Sequence, residues 1–337
     1  MHLPARALIP LAPLLAASLL ACGGTTTPGQ TSGTTGAGGS SAASTASATT
    51  GGTGGGGGAG GGSGGGGGAP SLPMEGCIPT PSPGMPVMDP NGPYYHQVVL
   101  AHTMDGITLQ GDHQILDHAS VPDGTRMADG SARVYYVDGA KSTLAVARIE
   151  GDQATPLGPI TLGGVQAPGG VVDPDVQLVG GKVRLYYLGG FGPPNSGKPR
   201  GICIAESSDG VTFDILGRAL ELPSMPMITD PSVIHLTSGK WLMALSQGQQ
   251  TILARSDDGY TFTQGETLNY GGVPELSLLD DGKVRLYVCA MGIESYLSDT
   301  EGMSWNKEAK VLLGSPGKAG CDPSRVAGTD LFLYKTF

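Results

Sequence analysis

The stretch T-D-P-S-V-I-H-L, Thr229 to Leu236, decides the fold, together with the segments that follow it: W-L-M-A-L-S from Trp241 to Ser246 and T-I-L-A-R-S-D-D-G-Y-T-F from Thr251 to Phe262. Short apolar runs alternate there with tight turns, at Ser238-Gly239-Lys240 and at Asp257-Asp258-Gly259. Four strands joined by hairpins in about forty residues make one antiparallel sheet.

The same order of events recurs. Asp173-Pro174-Asp175 leads through Gly180-Gly181-Lys182 to a second run, then to Ile202–Glu206 and Ser208-Asp209-Gly210. Glu275 leads through Asp281-Gly282 to Val284–Ala290, then to Ser295–Ser298 and Thr300-Glu301-Gly302. Asp123 leads through Asp129-Gly130 to Arg133–Val137, then to Leu144–Ile149. A fifth copy, Asp322-Pro323-Ser324-Arg325, stops with the chain at Phe337. Its missing half stands upstream: Val98–His102 reads as a third strand, and Met104–Leu109 as an Asp-Gly turn running into a fourth. Pairing the two ends closes a ring without leaving a half-sheet edge. The expected fold is all-β, a five-bladed β-propeller over residues 96–337 whose last blade is shared by the N- and C-terminal strands.

Upstream of the propeller the composition changes. Residues 1–21 carry Arg6, an apolar core and L-L-A before Cys22, an arrangement that resembles a bacterial lipoprotein signal with Cys22 as the acylated residue. Residues 22–69 are Gly, Ser, Thr and Ala with little to bury, a tether with a root-mean-square reach of ~40 Å. Residues 70–95 are Pro-rich and should form an extended arm on the propeller. The expected location is the bacterial cell envelope, lipid-anchored and facing the periplasm or the exterior. A net charge of −10 excludes a nucleic-acid partner of the usual basic-faced kind. Disulfides persist in an exported chain, and four cysteines remain for three pairings. Cys289 and Cys321 fall on the same face of neighbouring blades, which favours that pair and leaves Cys77 to pin the arm at Cys203.

The chemistry is expected where the inner strands begin. Propeller inner strands start at one face of the axis, so Asp123, Asp173, Asp230, Glu275 and Asp322 should gather around one opening. Carboxylates crowded there raise one another's proton affinity and call for a proton, a cation or fixed positive charge. Arg126 and Arg325, each three residues after an acid in adjoining blades, are candidates for a positive wall. The histidines show no metal spacing, and no organic cofactor or dedicated metal site is expected, although calcium among the carboxylates would be compatible with the pattern. Asx-type turn chemistry is the bland alternative for any single Asp-Pro. Tyr270 and Phe191 stand in for the aromatic platform of a sugar site, with Phe191, Lys198 and Arg200 in a long loop above the acid face.

Ser-x-Asp-Gly-x-Thr-Phe at Ser207 to Phe213, with variants at Ser256–Phe262 and Ser298–Trp305, resembles the Asp box of sialidases, a folding element on the opposite rim. The repeats and acids together resemble family 43 glycoside hydrolases. That resemblance implies a carbohydrate substrate, with Asp123 as general base, Asp230 as the residue that tunes and orients the acid, and Glu275 as general acid in an inverting reaction. Asp173, Arg126, Asp322, Arg325 and Tyr270 would then bind substrate. The chain departs from the family where Gly follows the first acid and where Glu275 lacks a following Gly-Pro. An exo-sialidase-like hydrolase is a second enzyme reading. A non-catalytic propeller holding a glycan or a protein is the reading from another class.

Overall fold

A computed structural model describes residues 71–191, 200–222, 227–313 and 320–337. The leader, Cys22, the tether and Lys198 lie outside the described residues. Five antiparallel sheets carry the chain around a common axis. The first blade is Ala119–Arg126, Ala132–Asp138, Thr143–Glu150 and Gln153–Pro159. The second is Val172–Val179, Lys182–Gly189, Arg200–Ser207 and Thr212–Leu222, extended by a small hairpin of Thr161–Leu162 and Val165–Gln166. The third is Thr229–His235, Trp241–Gln247, Gln250–Ser256 and Thr263–Leu268, and the fourth Gly272–Leu278, Val284–Cys289, Gly292–Ser298 and Asn306–Leu313.

The fifth blade closes the ring from both ends of the chain. Gly320–Arg325 and Leu331–Thr336 are its inner half, and Gln97–His102 pairs with Leu331–Thr336 in register from Gln97↔Thr336 to His102↔Leu331. Its outer strand is Gln110–Asp117, downstream of the expected Ile107–Leu109. The reason lies in Asp105, whose Oδ1 accepts the backbone N–H groups of Ile107 and Thr108 at 2.8 and 2.7 Å and bends those residues into the turn. His113 sits in that outer strand.

Neighbouring blades are keyed together at these turns. Asp209 and Asp258 accept N–H groups as Asp105 does, Asp209 from Val211 and Thr212, Asp258 from Tyr260 and Thr261. A tyrosine in the second strand of the preceding blade donates its hydroxyl to the turn glycine's carbonyl: Tyr135 to Gly210, Tyr186 to Gly259 and Tyr287 to Gly106, all at 2.7–2.8 Å. A side chain at Gly106 would be strained at a φ of +74° and would have to displace Arg285 Nη1, 2.2 Å from its Cβ. The same tyrosines meet the next blade's aromatics edge-on, Tyr135 with Phe213, Tyr186 with Phe262 and Tyr287 with Phe332. The seam from the fifth blade to the first uses polar groups: His102 bridges Asp330 of its own blade and Asp152 of the next, both at 2.9 Å.

The N-terminal arm lies along the first two blades. Cys77 is bonded to Cys203, Tyr187 donates to the Cys77 carbonyl, and Arg218 N–H donates to the Pro73 carbonyl. Thr80–Pro81 pairs with Pro168–Gly169. A second disulfide, Cys289 to Cys321, ties the fourth blade to the fifth.

Candidate functional site

All five inner strands carry the same local distortion, and prolines set its register. Each ladder slips at an X-Pro pair: Val121-Pro122, Asp173-Pro174, Asp230-Pro231, Val273-Pro274 and Asp322-Pro323. Each X residue is left-handed, with φ between 48 and 54°. That conformation is strained for any L-residue and most of all for a β-branched valine, at a cost of order ~1–3 kcal/mol each. The five X-Pro pairs together line one axial cavity, along with Asp123 and Glu275.

The five acids expected at the opening therefore occupy two tiers. Asp173, Asp230 and Asp322 precede their prolines and form the mouth tier, beside Val121 and Val273. Asp123 and Glu275 follow their prolines and lie one tier deeper, where the equivalent positions in the other blades are Asp175, Ser232 and Ser324.

The deeper tier is a closed ring of hydrogen bonds. Each of its side chains accepts the backbone N–H that follows the equivalent residue in the next blade. Val176 N donates to Asp123 Oδ2 at 2.6 Å, Val233 N to Asp175 Oδ1 at 3.1 Å, and Leu276 N to Ser232 Oγ at 2.8 Å. Arg325 N donates to Glu275 Oε1 at 3.1 Å, and Gly124 N to Ser324 Oγ at 3.0 Å, completing the circuit. The two serines also donate forward, Ser232 to Glu275 Oε2 and Ser324 to Asp123 Oδ1, both at 2.8 Å. Both oxygens of Asp123 and of Glu275 are thus engaged. One carboxylate oxygen from each of Asp123, Asp175 and Glu275 lies within 4.8 Å of the others. Asp123 and Glu275, the base and acid that the resemblance implies, are both members of this ring, with both oxygens of each already accepting hydrogen bonds.

The expected positive wall does not form. Arg126 ends its strand far from the mouth and reaches the Gly328 carbonyl in the turn between the first two strands of the fifth blade. Arg325 contributes its backbone to Glu275, and its side chain does not line the cavity. The cation at the mouth is Lys335, whose Nζ is 2.5 Å from Asp322 Oδ2. Tyr270 stacks on Tyr296 at 4.1 Å and packs into the fourth blade, away from the cavity. Phe191 lines a separate cleft between the arm and the second blade, with Arg200 above its ring.

Burial governs the charges. It pushes Asp123 up to about 7 and Asp230 up to about 6, the latter helped by the Asp322 charge. Burial also raises Asp173 well above the usual carboxylate range, reinforced by Asp230 and Asp322, and it raises Asp175 and Glu275 likewise, reinforced by their ring neighbours. Folded-state values above the unfolded ones mean that the native protein holds extra protons. Their contribution to stability is complete below the ordinary carboxylate range and is lost as pH rises through about 6 and 7. In chelator-containing buffers the thermal midpoint is expected to be higher at pH 5 than at pH 8; a flat or rising profile over that span would contradict the buried-acid description.

The mouth tier holds the free chemistry. Asp173 Oδ2 accepts the backbone N–H of Asp230 at 3.3 Å, and Asp230 Oδ2 accepts the Thr229 hydroxyl at 2.5 Å. The cavity beneath has a volume of about 20 Å³, room for roughly one water or one ion. A ligand larger than that would have to lie across the mouth.

No protein-family model and no curated protein sequence matches this chain. Solved structures do. A thermostable family-43 glycoside hydrolase aligns at 13% identity over 65% of this chain and 83% of its own, with a TM-score of 0.50. A protein of unknown function from Dyadobacter fermentans aligns at 16% identity over 74% of this chain and 85% of its own, also at 0.50. An endo-arabinase from Bacteroides thetaiotaomicron aligns at 16% identity over 64% of this chain and 88% of its own, at 0.49. At these identities the likeness is one of fold.

Proposed function

We propose that this propeller is a glycan-acting hydrolase whose acid/base pair is Asp173 and Asp230 at the mouth of the axial cavity. The observation that carries the reading is this pair of adjoining carboxyl groups, both with raised proton affinity and with Asp173 held higher by Asp230 itself. Burial raises the proton affinity of both groups and the Asp230 charge raises that of Asp173 further, which suits Asp173 to the acid role and Asp230 to the base role in glycoside hydrolysis. Asp173 gives its proton to the leaving glycosidic oxygen as that bond breaks. Asp230 takes a proton from the water whose oxygen bonds to the anomeric carbon. Lys335, by neutralising Asp322, keeps the third mouth carboxylate from adding its full charge.

Full-length protein should cleave at least one member of a panel of aryl arabinofuranosides, xylosides and galactosides. Asp230→Asn should then lower kcat by about 10²–10⁴-fold while leaving substrate binding in place. Silence across the panel, with glycan binding retained, would favour the second reading, a non-catalytic glycan-binding propeller. One observation supports that second reading: two of the three acids implied by the family resemblance are spent on holding blades together. The exo-sialidase reading has less behind it, because neither Arg126 nor Arg325 reaches the mouth. We further propose that Cys22 carries the lipid and holds the propeller at the bacterial envelope, which mass spectrometry of the N-terminal peptide tests.

A further inference from the structure

We infer that the seam at which the ring closes is a proton-operated latch: His102 and His113 of the fifth blade hold the Asp152 turn of the first blade while their imidazoles are charged, and release it when they are neutral. This seam lacks the neutral lock used elsewhere. Tyr135, Tyr186 and Tyr287 stand opposite Asp123, Asp175 and Glu275 in their strand pairs and reach the next blade's turn, whereas Leu333 stands in that place opposite Ser324. A leucine offers no hydrogen bond, and polar contact with the first blade's turn comes from the two histidines instead.

Both rings have an oxygen acceptor at each nitrogen. His113 Nδ1 lies 2.9 Å from the Gly111 carbonyl oxygen, and its Nε2 lies 2.7 Å from that of Asp152. His102 Nδ1 lies 2.9 Å from Asp330 Oδ2, and its Nε2 lies 2.9 Å from Asp152 Oδ1. Carbonyls and ionised carboxylates only accept, and a neutral imidazole carries a single N–H, so all four bonds coexist only while both rings are imidazolium. A neutral His113 would turn a lone pair toward one of its carbonyl oxygens. These acceptors raise both proton affinities above the ordinary histidine value, through Asp330 and then Asp152 for His102, and through the Gly111 and then the Asp152 carbonyl for His113. The His102 charge works against that of His113, and the Asp152 carboxylate works for it. Of the other charged groups on these elements, Glu150 pairs with Arg148, Lys335 with Asp322 and Asp117 with His118, while Arg126 reaches the Gly328 carbonyl and Asp112 the Tyr334 hydroxyl. Raised folded-state values make the latch's contribution complete below the unfolded value of ~6.5 and remove it as pH rises through the folded one. The side chains of His102 and Asp152 are 35 and 68% exposed, so solvent protons reach them without unfolding. Exposed ion pairs are individually weak, and the latch therefore governs local opening of the seam, not folding of the propeller.

The latch is independent of the proposed acid/base pair, and its test does not depend on turnover. In full-length protein labelled at histidine, NMR should show His102 and His113 titrating above ~6.5, with the signals assigned from His102→Gln and His113→Gln. Amide hydrogen exchange should show the consequence. Protection of Gln97–His102 is taken relative to Thr229–His235 of the third blade, so that a pH effect on the whole propeller cancels. That ratio should fall between about pH 5 and pH 9, by about tenfold for each unit by which a midpoint exceeds ~6.5. The double variant with both glutamines should show the wild type's high-pH ratio at both ends of the range. Wild-type midpoints at or below ~6.5 overturn the inference, and they are readable even if the double variant does not fold. A ratio that does not change with pH in the wild type, or a change that survives in the double variant, overturns it as well.

Discussion

A chain ending at Asp330 is expected not to fold. The seven residues removed include Leu331–Thr336, the strand that joins the two halves of the fifth blade by pairing with Gly320–Arg325 on one side and Gln97–His102 on the other. Without it, Gln97–His102 and Gln110–Asp117 are a two-stranded ribbon attached to nothing, and such ribbons are marginal in water. Leu331, Phe332, Leu333 and Tyr334 are each at most 9% exposed. At ~1.5–3 kcal/mol per large apolar side chain, their burial alone is worth about 6–12 kcal/mol, comparable with the whole stability of an ordinary domain at ~5–15 kcal/mol. Far-ultraviolet circular dichroism and limited proteolysis should show loss of β-structure and rapid digestion throughout the propeller. A truncated chain that still melts cooperatively near the wild-type temperature would mean that ring closure is not what holds the blades.

Replacing Ser232 and Ser324 by Ala should cost about 2–4 kcal/mol each, and about 4–8 kcal/mol together, because each change leaves a buried N–H unpaired and takes a hydrogen bond from a buried carboxyl group. For Ser232 the orphans are Leu276 N–H and Glu275 Oε2; for Ser324 they are Gly124 N–H and Asp123 Oδ1. Both changes are charge-neutral and remove a single oxygen, so cavity and Coulomb effects stay small. Denaturant unfolding should show the midpoint fall with an unchanged slope. A loss below about 0.5 kcal/mol for either serine would show that the ring adds little to blade cohesion.

Blade number and closure could be read from the sequence because they rest on local signals, hairpin glycines and Asp-Gly turns, that recur at nearly constant spacing. The tiers of the acid site could not be read by following acids. Asp-Pro and Pro-Asp look alike in composition but differ by two residues in register. Two residues along an extended strand move a side chain by about 7 Å along the axis. Aligning the copies on Pro122, Pro174, Pro231, Pro274 and Pro323 would have separated mouth from shaft. The same alignment groups Asp175 with Asp123 and Glu275 in the shaft. Lys335 was hidden for another reason: it comes from the second strand of the last blade, and only ring closure and strand register bring it to Asp322. The outer strand of that blade begins later than its strand-forming residues suggest, because the Asp105 turn takes up Ile107 and Thr108.

The pairing of Cys77 with Cys203 also fixes how the molecule bears a load. A pull applied to the chain ahead of residue 71 travels to Cys77 and crosses a covalent bond into Arg200–Ser207, the third strand of the second blade. Residues 78–96 stay slack under that pull. The hydrogen-bonded zipper of Gln97–His102, where the ring would otherwise be peeled open from its N-terminal end, carries no tension until the sulfur–sulfur link is reduced.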